Sequence, residues 1–326
     1  MSAGEGGPGG SRKDDHLRGR ASASSAASWV EAHVPPAWRR PRRLLLVAAL
    51  LVVIMVIITT RPSPGPSHPA PGTTVFPAGN QVVLRFVHSA GSVHLSPGRA
   101  GQVSITEHRN GITSAIHTSY RQQGNVITVT VSVENGLFQA TWVDFNVAVP
   151  QDTSANVDVA AGTLDATGLN GNFTLHDTNG SIWVTNMTGA LALHTTSGSI
   201  NTSRVSGQVS ASTGNGTITT VATQLRGRSL LQAQGGTINF HGSLDPGCHA
   251  VFRNTNGATG VTLPGDSSVV VAARTPLGSI NSQFSSVHVV SNPDGRVADG
   301  RVGHGAPARL SIQTQGGSIA LNHATK

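Results

Sequence analysis

A glycine recurs every nine residues between Gly162 and Thr223, and this period constrains the fold more than any other feature of the chain. Asn, Ser, Thr or Ala precedes these glycines, a combination typical of turns that need a positive φ at glycine. Each nine-residue unit is therefore predicted to contain one short strand and one turn. The glycines are Gly162, Gly171, Gly180, Gly189, Gly198, Gly207 and Gly216.

The apolar residues inside the units follow the period of a strand. The third residue of every unit is apolar and the fifth is small or apolar, whereas the second, fourth and sixth are mostly polar. This alternation gives a strand with one buried side and one solvent-facing side. The eighth residue is apolar only in alternate units, at Leu169, Met187 and Val205. The structural repeat is therefore predicted to be a pair of units, with two strands and two turns.

Two all-β architectures fit this 18-residue repeat. Asn-Gly pairs between alternating strands favour antiparallel hairpins, as in a meander or a propeller. Alternatively, each repeat forms one coil of a β-solenoid, in which equivalent residues of successive coils stack about 4.8 Å apart. We favour a single-domain β-solenoid, a parallel β-helix of about 18–20 residues per coil, because Ile, Thr/Ser and Gly recur at fixed places. Residues 79–326 then give about 12 coils, with Ser291 to Pro307 as surface loops.

The positive charge of the chain is concentrated ahead of its longest apolar run. The net charge is +7, and residues 1–43 hold 8 Lys/Arg against 4 Asp/Glu. Four of these arginines, Arg39, Arg40, Arg42 and Arg43, directly precede the run. This placement is typical of a membrane-flanking cluster rather than a nucleic-acid interface. We therefore predict a disordered basic tail over residues 1–43 and no nucleic-acid partner.

The apolar run is predicted to be a transmembrane signal anchor. Leu44 to Ile58 are uninterrupted apolar residues, and Thr59 and Thr60 extend them. At about 1.5 Å per residue the segment 44–60 reaches about 25 Å, slightly less than a bilayer core. A cleaved signal peptide is the alternative, but the leader is long and no small-x-small site follows. The excess of arginine before the run predicts a cytoplasmic N-terminus, and a Pro-rich linker over 61–78 is predicted to join the membrane to an extracellular domain.

A recurring phrase in the repeats resembles a known family. A short strand, a polar pair, Gly-Ser/Thr-Ile and a second strand recur in HDTNGSIWV, HTTSGSINT, STGNGTITT, QAQGGTINF and TQGGSIALN. Over residues of about 79–322 the chain resembles the bacterial putative-adhesin family of uncharacterised β-helix domains. The resemblance implies a β-helix and a cell-surface location, and it brings no catalytic residues. Many relatives carry Asp after the glycine, whereas this chain has Ser or Thr.

The positions of the acidic residues and histidines argue against metal binding. Calcium-binding β-rolls also have a nine-residue repeat, but they need carboxylates in every turn. The segment from Gly162 to Thr223 contains only Asp165 and Asp177. His176 and His194 are both sixth in their units, so a solenoid would stack them on its outer face. The next coil offers Ser212, which favours exposed polar residues over a two-histidine metal site. We predict no metal and no cofactor.

Carboxylates that could serve acid–base chemistry are few. Asp144, Asp158, Asp165 and Asp177 form the densest acidic run, and Asp158 and Asp165 could approach each other across a turn. A β-helix enzyme that acts on polysaccharides is therefore the alternative hypothesis. However, no three carboxylates occupy equivalent positions of the repeats, as a cluster for acid–base chemistry or metal binding would require. We predict a non-enzymatic protein without catalytic residues. The lone Cys248 is predicted to be a buried structural residue.

These features together predict a single-pass protein of the cell membrane that displays an extracellular β-helix. Its expected role is that of an adhesin or cell-surface scaffold, with surface glycans or another cell-surface protein as partners. A second hypothesis is a membrane-spanning sensor or assembly factor whose tail, residues 1–43, binds a cytoplasmic partner.

Overall fold

The described part of the chain is an all-β domain. The computed structural model describes residues 72–79, 81–134 and 140–324, and these contain one short 3-10 turn, Thr113–Ala115, beside the strands. The first strands are β1 Thr73–Pro77, β2 Val82–His88, β3 Val93–Pro97, β4 Gln102–Asn110, β5 Ile116–Gln123, β6 Val126–Val133, β7 Trp142–Val149, β8 Thr153–Thr167, β9 Asn170–Thr185, β10 Thr188–Ser197, β11 Ile200–Ser203 and β12 Ser206–Asn215. The remaining strands are β13 Ile218–Leu225, β14 Arg228–Gly235, β15 Ile238–Leu244, β16 His249–Asn256, β17 Thr259–Leu263, β18 Val269–Thr275, β19 Ile280–Ser282, β20 Val287–Asn292, β21 Gly295–Val302, β22 Ala308–Gly316 and β23 Ile319–His323.

Two ladders of parallel strands run through the domain. Ladder 1 consists, in spatial order, of β6, β2, β8, β9, β10, β12, β14, β16, β22 and β18. Ladder 2 consists of β7, β3, β8, β9, β11, β13, β15, β17, β23 and β19. The long strands β8 and β9 belong to both ladders, because each continues through a corner glycine. Ten strands in each ladder are fewer than the 12 coils that the sequence predicts.

The pairing register follows the predicted pairs of nine-residue units. Ile200 pairs with Ile182 on one side and with Ile218 on the other, so equivalent residues of every second unit are neighbours. Farther along, Ser210 pairs with Leu230, which makes the repeat slightly longer there. The named strand pairs between Gly162 and Thr223 are all parallel, which an antiparallel meander would not give.

At both ends of the ladders the spatial order departs from the chain order. Strands β2 and β3 lie between the pair β6/β7 and β8. Strands β22 and β23 likewise lie between β16/β17 and β18/β19. Antiparallel strands then cover three of the four outer edges: β5 pairs with β6, β4 with β7, and β21 with β18. Covering the ends in this way leaves fewer unpaired backbone groups that could template aggregation.

The prediction of surface loops over Ser291 to Pro307 is wrong for most of that segment, although residues 293–294 and 303–307 do lie outside strands. Strand β20 continues to Asn292, and β21 spans Gly295–Val302. β21 pairs with β18 on one side and with β20 on the other. The polar, glycine-rich sequence suggested a loop, but pairing with two neighbours satisfies the backbone of this segment despite its weak apolar alternation.

The core positions that the sequence predicts are confirmed. The third residue of every unit and the fifth residue of every unit are buried. The eighth residue is buried in alternate units at Leu169, Met187 and Val205. Thr223 continues this buried row, and its hydroxyl lies 3.3 Å from that of Thr202. The interior therefore accepts threonine where the hydroxyls can pair with each other.

The corner glycines are packed too closely for any other residue. An ideal Cβ placed on Gly180 would lie 1.8 Å from the carbonyl oxygen of Gly162, and one on Gly198 would lie 1.7 Å from that of Gly180. Close backbone approach, in addition to a φ of +150° at Gly198, therefore explains why glycine recurs every 18 residues at this corner. The same contact recurs along one column of corner residues: Gly162, Gly180, Gly198, Gly216, Gly236, Gly257, Gly317 and Gly278. A second column through Gly171, Gly189 and Gly207 makes the same contact and reduces the spacing along the chain to nine.

The predictions for the N-terminal segments have different outcomes. The predicted tail, 1–43, and the predicted anchor, 44–60, lie outside the described residues. Strand β1 falls within the predicted linker, 61–78, and pairs antiparallel with β4, so the folded domain includes the end of that linker. Within the described ranges, no helix has the length and apolarity needed to cross a bilayer.

Candidate functional site

The outer face of ladder 2 carries an exposed tryptophan among polar side chains. Trp183 keeps 49% of its surface exposed. Its register neighbours on the adjacent strands are Asp165 and Asn201. Beyond Asp165 lies His94, whose Nδ1 is 3.2 Å from Asp165 Oδ2. We call His94, Asp165, Trp183 and Asn201 the Trp183 row.

The Trp183 row offers the groups that a sugar ring requires. An exposed indole presents a flat apolar surface on which the apolar face of a pyranose can stack. On either side, the Asp165 carboxylate can accept hydrogen bonds and the Asn201 amide can both donate and accept them. Sequence reasoning missed Trp183, although it is the one large aromatic residue at an outward position of the nine-residue units. The fourth residue of the other units is mostly polar, so the indole at this position was the signal that could have identified the site.

The histidine pair lies on the outer face of ladder 1, as predicted. The rings of His176 and His194 stack with centroids 5.0 Å apart and planes 13° apart. His176 Nδ1 lies 3.4 Å from Asp158 Oδ1, and His194 Nδ1 lies 2.6 Å from Ser212 Oγ. Within the described residues, no group of three or more His, Cys, Asp or Glu side chains has the arrangement of a metal site.

The acidic run does not form one cluster. Asp144 accepts hydrogen bonds from the Ser92 amide and the Asn110 side chain, at 2.9 and 3.3 Å. Asp158 and Asp165 both lie in β8, but they stand on opposite sides of corner Gly162. Their partners are histidines of different ladders, His176 and His94 respectively. The approach of Asp158 to Asp165 that the sequence suggested is therefore replaced by two separate carboxylate–histidine pairs.

Asp177, the fourth member of the run, is buried inside the corner of the ladders. It is fully inaccessible, and neither carboxylate oxygen has a hydrogen-bond partner that meets normal geometry. Its register neighbour Thr195 donates to the carbonyl of Gly180, and Thr213 donates to that of Gly198. By the same spacing, the carbonyl oxygen of Gly162 is the acceptor that a donor at residue 177 would face. Only a protonated carboxyl could donate there, and burial raises the pKa of Asp177 to about 6 despite nearby Asn179 and His176.

Replacing Asp177 by threonine is expected to stabilise the protein at neutral pH. Because the pKa of Asp177 is higher in the folded state, the unfolded chain loses this proton first, and folding weakens as the pH rises from about 4 to about 6. Asp177→Thr removes that penalty, so the free energy of unfolding should increase by about 1–3 kcal/mol at pH 7. Denaturant unfolding at pH 4 and pH 7 measures the effect.

The control for this substitution is the exposed Asp266. Asp266→Thr should change stability little at either pH. An equal gain for Asp177→Thr at both pH values, or a loss at pH 7, would contradict the assignment of a buried carboxyl that ionises unfavourably.

Cys248 is buried, which confirms the sequence prediction. Burial, followed by the nearby charge of Asp245, raises the pKa of its thiol to about 11. Since the thiolate is the reactive form, this cysteine is a structural residue of the core.

Comparisons with known proteins give no family assignment. Neither a protein-family model nor a curated protein matches the chain. Among solved structures, the chain is similar to a putative cell adhesion protein from Clostridium sporogenes, with a TM-score of 0.26 and 10% identity over 78% of this chain and 100% of that one. It is also similar to a putative lipid binding protein from Parabacteroides distasonis, with a TM-score of 0.43 and 14% identity over 76% and 96%. At these values neither likeness carries an argument about this chain.

Proposed function

We propose that this protein is a membrane-anchored, extracellular β-solenoid that binds a surface ligand without transforming it. The Trp183 row carries this proposal, because it places an exposed indole between hydrogen-bonding groups in register. Surface glycans are the ligands that this arrangement suits best. The role is that of an adhesin or cell-surface scaffold.

Two observations support the solenoid. Strand pairs join every second nine-residue unit in both ladders, so each repeat contributes one strand to each ladder. The corner glycines also stack on each other along the ladders. A chain that turns at the same corner in each repeat gives both patterns, and it leaves two outward faces of aligned polar side chains.

Membrane anchoring is supported by the sequence of Leu44 to Thr60 and by the arginines before it. The proposed topology places residues 1–43 in the cytoplasm and the β domain outside the cell. Protease added to intact cells should then digest the β domain and spare a tag at the N-terminus. Equal protection of both ends would contradict this topology.

Removing the indole of Trp183 should weaken glycan binding. The experiment uses purified full-length protein in a non-ionic detergent on a panel of bacterial and host surface glycans. Trp183→Ser is expected to lower the affinity for a bound glycan by about fivefold to tenfold, since stacking on an aromatic ring is worth about 1 kcal/mol. Trp142→Ser is the matched control, because Trp142 is 40% exposed and lies outside the Trp183 row.

The state of the recovered glycan separates binding from catalysis. Glycans of unchanged length support a binding protein. Shortened glycans, with turnover lost in Asp165→Ala, would instead favour the polysaccharide-active enzyme. A complete lack of binding across the panel would count against the proposed function.

A further inference from the structure

One outward-facing arginine from each of five neighbouring strands follows a zigzag along the outer face of ladder 1 and across β21, the antiparallel strand that pairs with the last strand of that ladder. Arg228, Arg309 and Arg301 lie in one column, on β14, β22 and β21, with His249 and Val270 between them. A second column, four residues further along the strands, holds the remaining two. In spatial order the arginines are Arg228, Arg253, Arg309, Arg274 and Arg301.

From each strand to the next, the arginine changes from one column to the other, and none of the five strands lacks one. Gln232, Gln313 and Val297 occupy the second column on the strands whose arginine lies in the first. Successive arginines of one column are therefore two strand spacings apart, about 9.6 Å, and the columns lie about 13 Å apart. We call this surface the arginine zigzag.

The arginine zigzag has little internal charge compensation. All five side chains are exposed. Among the described residues none of the five forms an ion pair, in contrast to Arg226, which pairs with Asp245 at 2.8 Å. Asp299 is the one carboxylate at the outward positions of these five strands.

Five arginines without an acidic partner among the described residues give this surface a local excess of positive charge. Neighbouring arginines are about 10–14 Å apart, which is more than the Debye length of about 8 Å at physiological salt, so each guanidinium acts largely as a separate site for an anionic group. A polyanion that spans several of these sites would contact more than one arginine at once.

We propose that the arginine zigzag binds a linear anionic polysaccharide that carries one carboxylate on each sugar. A polymer of 1,4-linked uronic acids with two-fold symmetry presents carboxylates on alternate sides, and its two-sugar repeat is close to two strand spacings of about 4.8 Å each. The polymer lies across the strands, and successive carboxylates meet arginines of alternate columns. Each guanidinium can hold a carboxylate through two parallel hydrogen bonds.

The surface suits a uronate polymer better than other polyanions. Single-stranded nucleic acids are bound through aromatic side chains on which bases stack, and the outward positions of these five strands contain no Phe, Tyr or Trp. An anionic bilayer offers no fixed repeat to match a zigzag. The proposal concerns a different surface from the Trp183 row and does not depend on it.

The test uses an oligomannuronate, a short polymer of 1,4-linked uronic acids, and measures its binding to purified full-length protein in a non-ionic detergent. Oligomannuronate should bind, and the affinity should fall as salt rises, because charged contacts dominate. Arg253→Gln with Arg274→Gln should weaken binding by about tenfold or more, and Arg228→Gln with Arg309→Gln should do the same. Replacement of the same pairs by lysine should restore part of the affinity.

Two sets of controls keep the result specific. Arg85→Gln with Arg99→Gln makes the same change in net charge at exposed residues outside the zigzag and should leave binding unchanged. The carboxyl-reduced oligosaccharide offers no carboxylate to the arginines, so any binding of it should be the same for the zigzag variants and the parent protein. A loss for the control pair equal to that of the zigzag pairs would overturn the assignment of the surface.

Further outcomes decide the ligand class. Equal or tighter binding of anionic lipid vesicles or single-stranded DNA would overturn the polysaccharide assignment, as would an absence of oligomannuronate binding. If neutral glycans still bind through Trp183 in that case, the proposed function stands and only this inference fails. If the zigzag binds oligomannuronate while Trp183→Ser changes nothing, the Trp183 row is the part that fails.

Discussion

Replacing Gly198 by alanine is expected to lower the free energy of unfolding by about 3 kcal/mol or more. The added Cβ would lie 1.7 Å from the carbonyl oxygen of Gly180 and 3.3 Å from Thr195 Oγ1. The clash is with the backbone of the neighbouring 18-residue repeat, so it can be relieved only if the two repeats move apart. The φ of +150° at Gly198 adds strain for any residue with a side chain. Denaturant unfolding of the full-length protein measures the loss.

Gly265 supplies the matched control. A Cβ on Gly265 would meet no heavy atom within 4 Å, so Gly265→Ala should leave stability within about 0.5 kcal/mol of the parent protein. If Gly198→Ala is equally neutral, the corner glycines are not in contact and the stacked corner is incorrect.

Replacing Ile200 by aspartate is expected to cost about 4 kcal/mol or more, which is enough to unfold many domains. Ile200 is fully buried between Ile182 and Ile218 in ladder 2. The substitution removes a large apolar side chain and places an unpaired carboxylate in the core. The expected observation is a lowered midpoint of denaturation, or the absence of folded protein at room temperature.

Asn201→Asp tests the same charge one residue away. Asn201 faces outward beside Trp183, so its new carboxylate stays in water and stability should change little. Similar losses for Ile200→Asp and Asn201→Asp would mean that ladder 2 does not have one buried and one outward side.

The regular part of the fold could be predicted because each of its rules is local. The nine-residue spacing, the buried third and fifth residues and the 18-residue repeat all follow from alternation within short segments. The eighth position was harder, since its apolar series ends at Val205 in the sequence, whereas Thr223 continues the buried row with its hydroxyl paired to that of Thr202. Arg204 and Ala222 have φ of +52° and +49°, an unusual conformation for non-glycine residues that their sequence does not signal.

The order of the strands at the two ends could not be predicted. His249 of β16 pairs with Arg309 of β22, whereas the next strand of ladder 1 in chain order is β18. A pairing across so many residues leaves no local periodic signal. The arginine zigzag depends on this insertion, because β22 lies between β16 and β18 and brings Arg309 between Arg253 and Arg274. The sequence gives no local sign of this strand order, and the arginine zigzag could therefore not be predicted from it.

Chemical cross-linking across the strands tests most directly whether 18-residue units stack in parallel. In the structure Ala192 pairs with Ser210, whereas an antiparallel hairpin turning at Ser197 and Gly198 would place Ala192 opposite Ser203. Cysteine pairs at 192/210 and 192/203, in a Cys248→Ala background, are treated with dibromobimane, a short thiol reagent that fluoresces when both ends have reacted. Parallel stacking predicts strong fluorescence for the Ala192→Cys/Ser210→Cys protein and little for Ala192→Cys/Ser203→Cys. The reverse pattern would contradict the 18-residue parallel register.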